Sequence, residues 1–174
     1  MLNSSNTAGE KSCADDEPPP DVSVREAKVK DIPRLVRIYR EFMAHFEELD
    51  PMFRQDSSYW TDRSKDNFSD DLNNKDKLYI LIEENGNLVG FIDIRISRRP
   101  DDYIIKKTGH IESVYIRPEH RKKGYGKLLL DRAMEWFSLK KVNTFTIGTL
   151  PEDKAARSFW KKMGFKEYLV MYRK

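Results

Sequence analysis

The sequence predicts an α/β protein built on a mixed, mostly antiparallel sheet with about four helices packed against it. Three observations carry this. Period-two apolar runs alternate along the chain with runs at helical spacing. The pair Asn85-Gly86 joins two of the strand-like runs, and both residues tolerate positive φ. The stretch RPEHRKKGYGKLLLD, from Arg117 to Asp131, then joins a strand to a leucine-rich helix.

In chain order, residues 1–21 are polar and proline-rich and cannot bury enough surface to offset their ordering entropy, so they read as a disordered tail. A single folded domain is expected over 22–174. VSVREA (22–27) reads as a strand. Asp31 is placed to cap a helix with Pro33 in its first turn and Ile32, Leu35, Val36, Tyr39, Phe42, Met43 and Phe46 on one face. A second helix is expected over 57–73, with Trp60, Phe68 and Leu72 at multiples of four. LYILI (78–82) and LVGFIDIRI (88–96) form the hairpin, and HIESVYI (110–116) is a strand stopped by Pro118. A helix follows over 124–139, then a strand over 144–150. A last helix around Ala155–Met163 ends at Gly164, and FKEYLVMYR (165–173) is read as a closing strand. The predicted order is β-α-α-β-β-β-α-β-α-β.

Composition excludes several classes. The 174 residues suit one core, and 32 basic against 29 acidic side chains give a formal charge of +3, far from that of a DNA-coating protein. No apolar run approaches the ~18 residues of a membrane span, and the N-terminus has no secretory hydrophobic stretch. One cysteine, Cys13, has no disulfide partner, and a reducing cytoplasmic setting is the expectation. Three histidines and one cysteine without ligand spacing suggest no metal.

The glycine stretch is the informative one. A loop entering a helix exposes amides without intrahelical partners, and the helix dipole adds positive charge there. Gly124 and Gly126 let the backbone curl and leave room for an anion, while Arg121, Lys122, Lys123 and Lys127 surround the point with positive charge. The spacing is neither that of a P-loop nor that of a dinucleotide fingerprint, since the position three after Gly126 is Leu129. It describes a phosphate or pyrophosphate site; a plain basic turn is the competing reading.

The wider pattern resembles the GNAT superfamily of acyl-CoA-dependent N-acyltransferases. That family carries Arg/Gln-x-x-Gly-x-Gly/Ala between an apolar strand with a proline and a leucine-rich helix. Here these are Val114-Tyr115-Ile116-Arg117-Pro118, then Arg121 to Gly126, then Leu128-Leu129-Leu130. Downstream the family shows Asn-x-x-Ala-x-x-Phe/Leu-Tyr-x-x-x-Gly-Phe, matched by Asp153 through Phe165 with Asp153 for the asparagine and Trp160 for the tyrosine. The likeness covers roughly 22–174.

The resemblance implies acetyl-CoA as co-substrate and a sheet whose central strands, 110–116 and 144–150, splay apart to admit the thioester. Backbone at Val114, Tyr115 and Ile116 would pair with the pantetheine arm, and amides from Arg121 through Lys122, Lys123, Gly124, Tyr125 and Gly126 to Lys127 would hold the pyrophosphate. Asp153 and Trp160 would stand near the arm. An attacking amine must be neutral, which near pH 7 costs a lysine-like amine roughly 4–5 kcal/mol. The family places its base about fourteen residues before Gly124, at His110, with Glu112 one step nearer on the same side of the strand. Trp160 cannot protonate a leaving thiolate, so solvent or another tyrosine must do so.

Acidic residues mixed with aromatics over His45–Asp56, then Tyr59-Trp60, favour a cationic amine as acceptor. Arg98, Arg99, Asp101 and Asp102 would rim the same opening. Dimers are common in the family, and the closing strand would lie at an edge, so a second copy is a candidate partner. Two other functions stay open. A domain that binds acyl-CoA without turnover fits the loss of the tyrosine. A nucleic-acid module would use RPEHRKK with Lys154, Arg157, Lys161 and Lys162, but gives the glycine spacing no purpose.

Overall fold

The computed structural model describes residues 21–60 and 62–174, so the expected tail over 1–20 lies outside the described residues. Five strands, β1 (Val22–Glu26), β2 (Lys77–Glu84), β3 (Asn87–Arg98), β4 (Lys107–Ile116) and β5 (Phe145–Ile147), form one sheet in the order β1-β2-β3-β4-β5. The first four run antiparallel; β5 joins β4 in parallel. Among the described residues four α-helices accompany them: α1 (Ile32–Leu49), α2 (Asp62–Asn73), α3 (Tyr125–Leu139) and α4 (Lys154–Lys162).

The elements form where local chemistry favours them. Asn85 and Gly86 take φ of 51° and 75°, the paired positive values of a tight hairpin turn, and set β2 against β3. In α1, Ile32, Leu35, Ile38 and Phe42 recur at helical spacing and are buried. Asp31 precedes α1 without capping it. Its carboxylate accepts instead from the Lys28 amide at 2.9 Å and from Arg25 at 2.7 and 2.8 Å. The charged partner outcompetes the helix amides because charge-assisted bonds are the stronger ones. Gly164, at φ 85°, ends α4 as expected.

Alternation along the strands splits the core in two. Ile80, Ile82, Ile92, Ile94 and Ile111 face α3, where they meet Leu129, Ala133 and Phe137. Tyr79, Leu81, Phe91 and Tyr115 face α1 and α2, where they meet Leu35, Ile38, Phe42 and Phe68. The sheet is therefore covered on both faces, and Asp93 and Ser113 on the α1–α2 face lie under helices, whereas Arg95 and Glu112 on the same face stay exposed.

Three expectations are corrected. The second helix begins at Asp62, after a separate 3₁₀ turn over Ser57–Trp60. β5 spans three residues rather than seven. Residues 165–173 form no strand: Tyr168, Leu169, Val170, Met171 and Tyr172 are all largely exposed. Strand propensity needs a neighbouring edge, and this segment is held by side chains instead. Arg157 reaches Glu167 at 2.8 Å, and Arg173 reaches Asp50 at 2.6 Å.

Candidate active site

The site begins with an irregularity in β4. Asp93 pairs with Ser113 and Ile94 pairs with Ile111, so Glu112 is an extra residue without a partner, a β-bulge. The bulge puts Glu112 and Ser113 on the α1–α2 face in succession. β5 follows β4 only from Gly109 to Ile111 and then leaves it. Among the described residues no strand lies beside the far edge of β4 beyond the bulge.

The orientation of that free edge follows from one bond. The Arg117 amide donates to Val89 of β3 at 2.9 Å, so alternation turns the backbone of Tyr115 toward β3 and that of Val114 and Ile116 toward the gap. The Ile116 carbonyl accepts from Arg121 Nε at 2.9 Å. The Tyr115 side chain is buried against α1, its ring 6.0 Å from that of Phe42.

The glycine loop lies at the end of this edge. Lys122 and Gly124 take φ of 63° and 84°, which lets the chain reverse into α3. Lys127 and Leu128 are the first amides to bond back, both to the Gly124 carbonyl, at 2.9 and 3.2 Å. Among the described residues no backbone carbonyl takes the amides of Lys122 to Gly126. The two glycines do different work. A Cβ at Gly124 would meet nothing within 4 Å, so that position needs only its backbone freedom. A Cβ at Gly126 would lie 3.1 Å from the Phe159 ring, so Gly126 lets α4 approach α3 rather than leaving space for an anion.

Glu84 ties the loop to the hairpin. Its carboxylate accepts from Lys123 Nζ at 2.8 Å, from His120 Nδ1 at 2.6 Å and from the Tyr125 hydroxyl. The bonds from Lys123, then Tyr125, hold its pKa down to about 2. Lys127 pairs with Asp131 one turn along α3. Asp153 caps α4, accepting from the Ala156 amide at 2.9 Å, and stands 3.7 Å from His45 of α1. Trp160 is in the core, its ring 4.9 Å from Phe159 and 5.1 Å from Phe165.

His110 and Glu112 share the α1–α2 face. Thr146 Oγ1 lies 2.7 Å from His110 Nδ1, and Thr108 Oγ1 lies 3.2 Å from Nε2. Burial, helped by Arg95, lowers the His110 pKa and favours the neutral ring. Glu112 accepts from Arg95 Nε at 2.8 Å and pairs with Lys77 at 3.2 Å.

Beside Glu112 opens a cleft of about 520 Å³, lined by Tyr39, Tyr59, Asn67, Phe68, Asp70, Asp71, Lys77, Tyr79, Asp93, Glu112 and Ser113. Asp93 was not among the residues singled out in the sequence. It is 1 % exposed, and among the described residues its Oδ1 has no hydrogen-bond partner. Burial pushes its pKa up to about 7; Glu112 and Asp71 add to the rise, and Lys77 opposes it. Leaving such an oxygen orphaned costs about 1–3 kcal/mol. Lys77 spends its short bonds elsewhere, on Asp71 at 2.7 Å and Glu112 at 3.2 Å, and stays 3.9 Å from Asp93. Desolvation lowers the Lys77 pKa, but Asp93, Asp71 and Glu112 together outweigh it and the net direction is up. Burial, then Asp93, pushes the Tyr39 hydroxyl up to about 12; that hydroxyl lies 3.3 Å from Ser113 Oγ.

The one clue to Asp93 in the sequence is its place between Ile92 and Ile94 in an otherwise apolar strand, where it reads as an outward polar position. Among the described residues no group of three or more His, Cys, Asp or Glu side chains is placed to hold a metal ion. No helix among them is long and apolar enough to cross a membrane.

The same architecture recurs in solved structures. A tetramutant of the BH1408 protein from Bacillus halodurans superposes with a TM-score of 0.76 at 17% identity, over 87% of this chain and 97% of that one. A predicted acetyltransferase with acetyl-CoA from Clostridium acetobutylicum gives 0.69 at 22%, over 87% and 96%. An aminoglycoside acetyltransferase from an uncultured soil metagenomic sample, in complex with sisomicin, gives 0.70 at 16%, over 88% and 95%. At these identities the likeness concerns the fold. The sequence speaks more directly, because the model of the acetyltransferase (GNAT) family matches residues 35–165, three quarters of the chain. With the parted strands and the loop into α3, that match settles the kinship: the chain belongs to the acetyltransferase (GNAT) family.

Proposed function

We propose that this protein moves an acetyl group from acetyl-CoA to a primary amine by direct attack on the thioester. The observation that carries the reading is the adjacency of three features: the free edge of β4 at Val114 and Ile116, the unpaired amides before α3, and the acidic cleft beside the bulge. The first two suit an extended pantetheine arm and a diphosphate. The edge offers backbone groups to an added strand-like chain. The helix start offers amides and dipole to an anion, with Arg121, Lys122 and Lys123 close by.

The third feature suits the amine. The acceptor nitrogen must lose a proton before it attacks, and a neutral imidazole at His110 is able to take one, directly or through a water. Glu112, held by Lys77 and Arg95, sits on the same face and fixes the charge around it. The nitrogen forms a bond to the carbonyl carbon, the carbon–sulfur bond breaks, and coenzyme A leaves as a thiolate. With Trp160 in the core, solvent supplies the proton that the thiolate takes up. On this reading the amide of Val114, on the free edge, stabilises the carbonyl oxygen as charge develops there.

A second reading, acyl-CoA binding without turnover, is favoured by Trp160, which stands where family members carry a tyrosine. One experiment separates the two. Purified protein is given acetyl-CoA and a panel of primary amines, and free thiol is followed. Amine-dependent release of coenzyme A supports transfer; binding of acetyl-CoA without release with any amine supports the second reading.

A further inference from the structure

We propose that Thr146 of β5 is a positioning residue for His110: its hydroxyl holds the ring so that Nδ1 carries the proton and Nε2 is the nitrogen that accepts one from the amine. The inference rests on the amine-acetylating reading and assigns the path of the proton within it.

The short strand β5 meets β4 only from Gly109 to Ile111, with Thr146 as the register partner of His110. Phe145 and Ile147 pack into the core on the α3 side, so alternation turns Thr146 to the opposite face, where His110 lies. The Phe145 ring lies 5.1 Å from that of Phe137 in α3, which anchors the strand. β5 thus delivers one polar side chain to the ring, just before the two strands part.

Both ring nitrogens meet hydroxyls. Thr146 Oγ1 is 2.7 Å from Nδ1, and Thr108 Oγ1, two residues back on β4, is 3.2 Å from Nε2. Among the described residues no carboxylate bonds the ring. Glu112 is taken by Arg95 and Lys77, and Arg95, the partner of His110 on β3, gives Nη1 to Ser97 at 3.3 Å. A carboxylate in place of Thr146 would also orient the ring, but it would stabilise the imidazolium and raise its pKa. The hydroxyl orients without doing so, in accord with the lowered pKa of His110. The base therefore stays neutral at about pH 7, as proton acceptance requires.

The two bonds are unequal, and the inequality assigns the tautomer. A neutral imidazole has one N–H and one bare nitrogen. The shorter bond, between paired strands, is the one that persists, and the longer one to Thr108 is exchangeable. With Nδ1–H donating to Thr146, the lone pair on Nε2 is left for the proton of the amine, directly or through a water. That proton ends on Nε2, Nδ1–H stays on Thr146, and the imidazolium then gives its extra proton to solvent. In the opposite tautomer Nε2 is already protonated, and an arriving proton would have to reach Nδ1 between the strands.

Nitrogen-15 shifts of the ring read the tautomer with no ligand added. At about pH 8 the ring is neutral, and the His110 resonances are those missing from His110→Gln. Wild type is expected to show a protonated Nδ1 and a bare Nε2. Thr146→Val keeps the branched strand side chain and removes the hydroxyl. It is expected to move the proton toward Nε2 and to lower kcat about tenfold with the most active amine of the panel, with the KM for acetyl-CoA within about twofold. Thr146→Ser should restore both tautomer and rate. A bare Nδ1 in wild type overturns the assignment, and so does a Thr146→Val protein that keeps the wild-type ring shifts or kcat. A raised KM for acetyl-CoA at unchanged kcat likewise refutes it, since that marks Thr146 as strand support only. The wild-type spectrum needs no variant, so a poorly folding Thr146→Val leaves the proposal exposed. Absence of coenzyme A release with every amine overturns the reaction instead, and the ring shifts then still decide the tautomer.

Discussion

Lys123 of the glycine loop reaches back 2.8 Å to Glu84 at the end of β2, across 39 positions of sequence. The bond joins the loop before α3 to the hairpin that Asn85 and Gly86 turn. With His120 and Tyr125 on the same carboxylate, it sets where the unpaired amides stand. Because these bonds depress the Glu84 pKa, the latch is fully present above its ordinary value of 4.5 and weakens only as pH falls toward about 2.

Glu84→Ala is expected to raise the KM for acetyl-CoA about tenfold and leave kcat within about twofold, because positioning acts through binding. Glu84→Gln, which keeps an acceptor, should recover part of the loss. Steady-state kinetics at saturating amine checks both. A fall in kcat with an unchanged KM would place Glu84 elsewhere in the mechanism.

The glycines separate by substitution. Gly124→Ala puts a side chain at φ 84° and is expected to cost about 1–2 kcal/mol in denaturant unfolding. Gly126→Leu drives a side chain into the Phe159 ring and is expected to cost about 1–3 kcal/mol, whereas Gly126→Ala is near neutral because helix propensity returns about what the contact costs.

The buried acid predicts a pH dependence of stability. Asp93 titrates near 7 when folded against 3.8 for the ordinary group, so the folded protein holds a proton that the unfolded chain releases. The sign follows: its contribution is fully present below pH ~4 and is lost as pH rises through about 7, on the order of 4 kcal/mol in all. Wild type should therefore lose stability relative to Asp93→Asn between pH 4 and 7 and run parallel to it above. Chemical denaturation across that range reads the slope; parallel curves throughout would refute it.

His110→Ala is expected to lower kcat by about tenfold to a hundredfold. Because burial lowers the His110 pKa, wild-type kcat should fall only below the ordinary value of 6.5 as the ring protonates, and the variant should lose that limb. An unchanged profile removes His110 from proton transfer.

Legibility in the sequence followed the range of the interactions. The hairpin, α1 and α3 were readable because turn residues and apolar spacing act within a few positions. The turn into α3 was readable because its glycines and cations are contiguous in the chain. Asp93 was not, since its burial depends on α1 and α2 folding over a strand that pairs with Ser113, twenty positions away. The different duties of Gly124 and Gly126 were also hidden, as Phe159 lies on another helix. The segment 165–173 has a strand composition but pairs with no strand, and propensity alone could not show that.

The proposed transfer requires the amides before α3 to hold the diphosphate. Calorimetric titration of wild type with acetyl-CoA and with S-acetylpantetheine, which lacks the diphosphate, tests it. The prediction is one acetyl-CoA per chain bound about a hundredfold tighter than the truncated thioester. Equal affinities, or no heat with acetyl-CoA at millimolar excess, would contradict it.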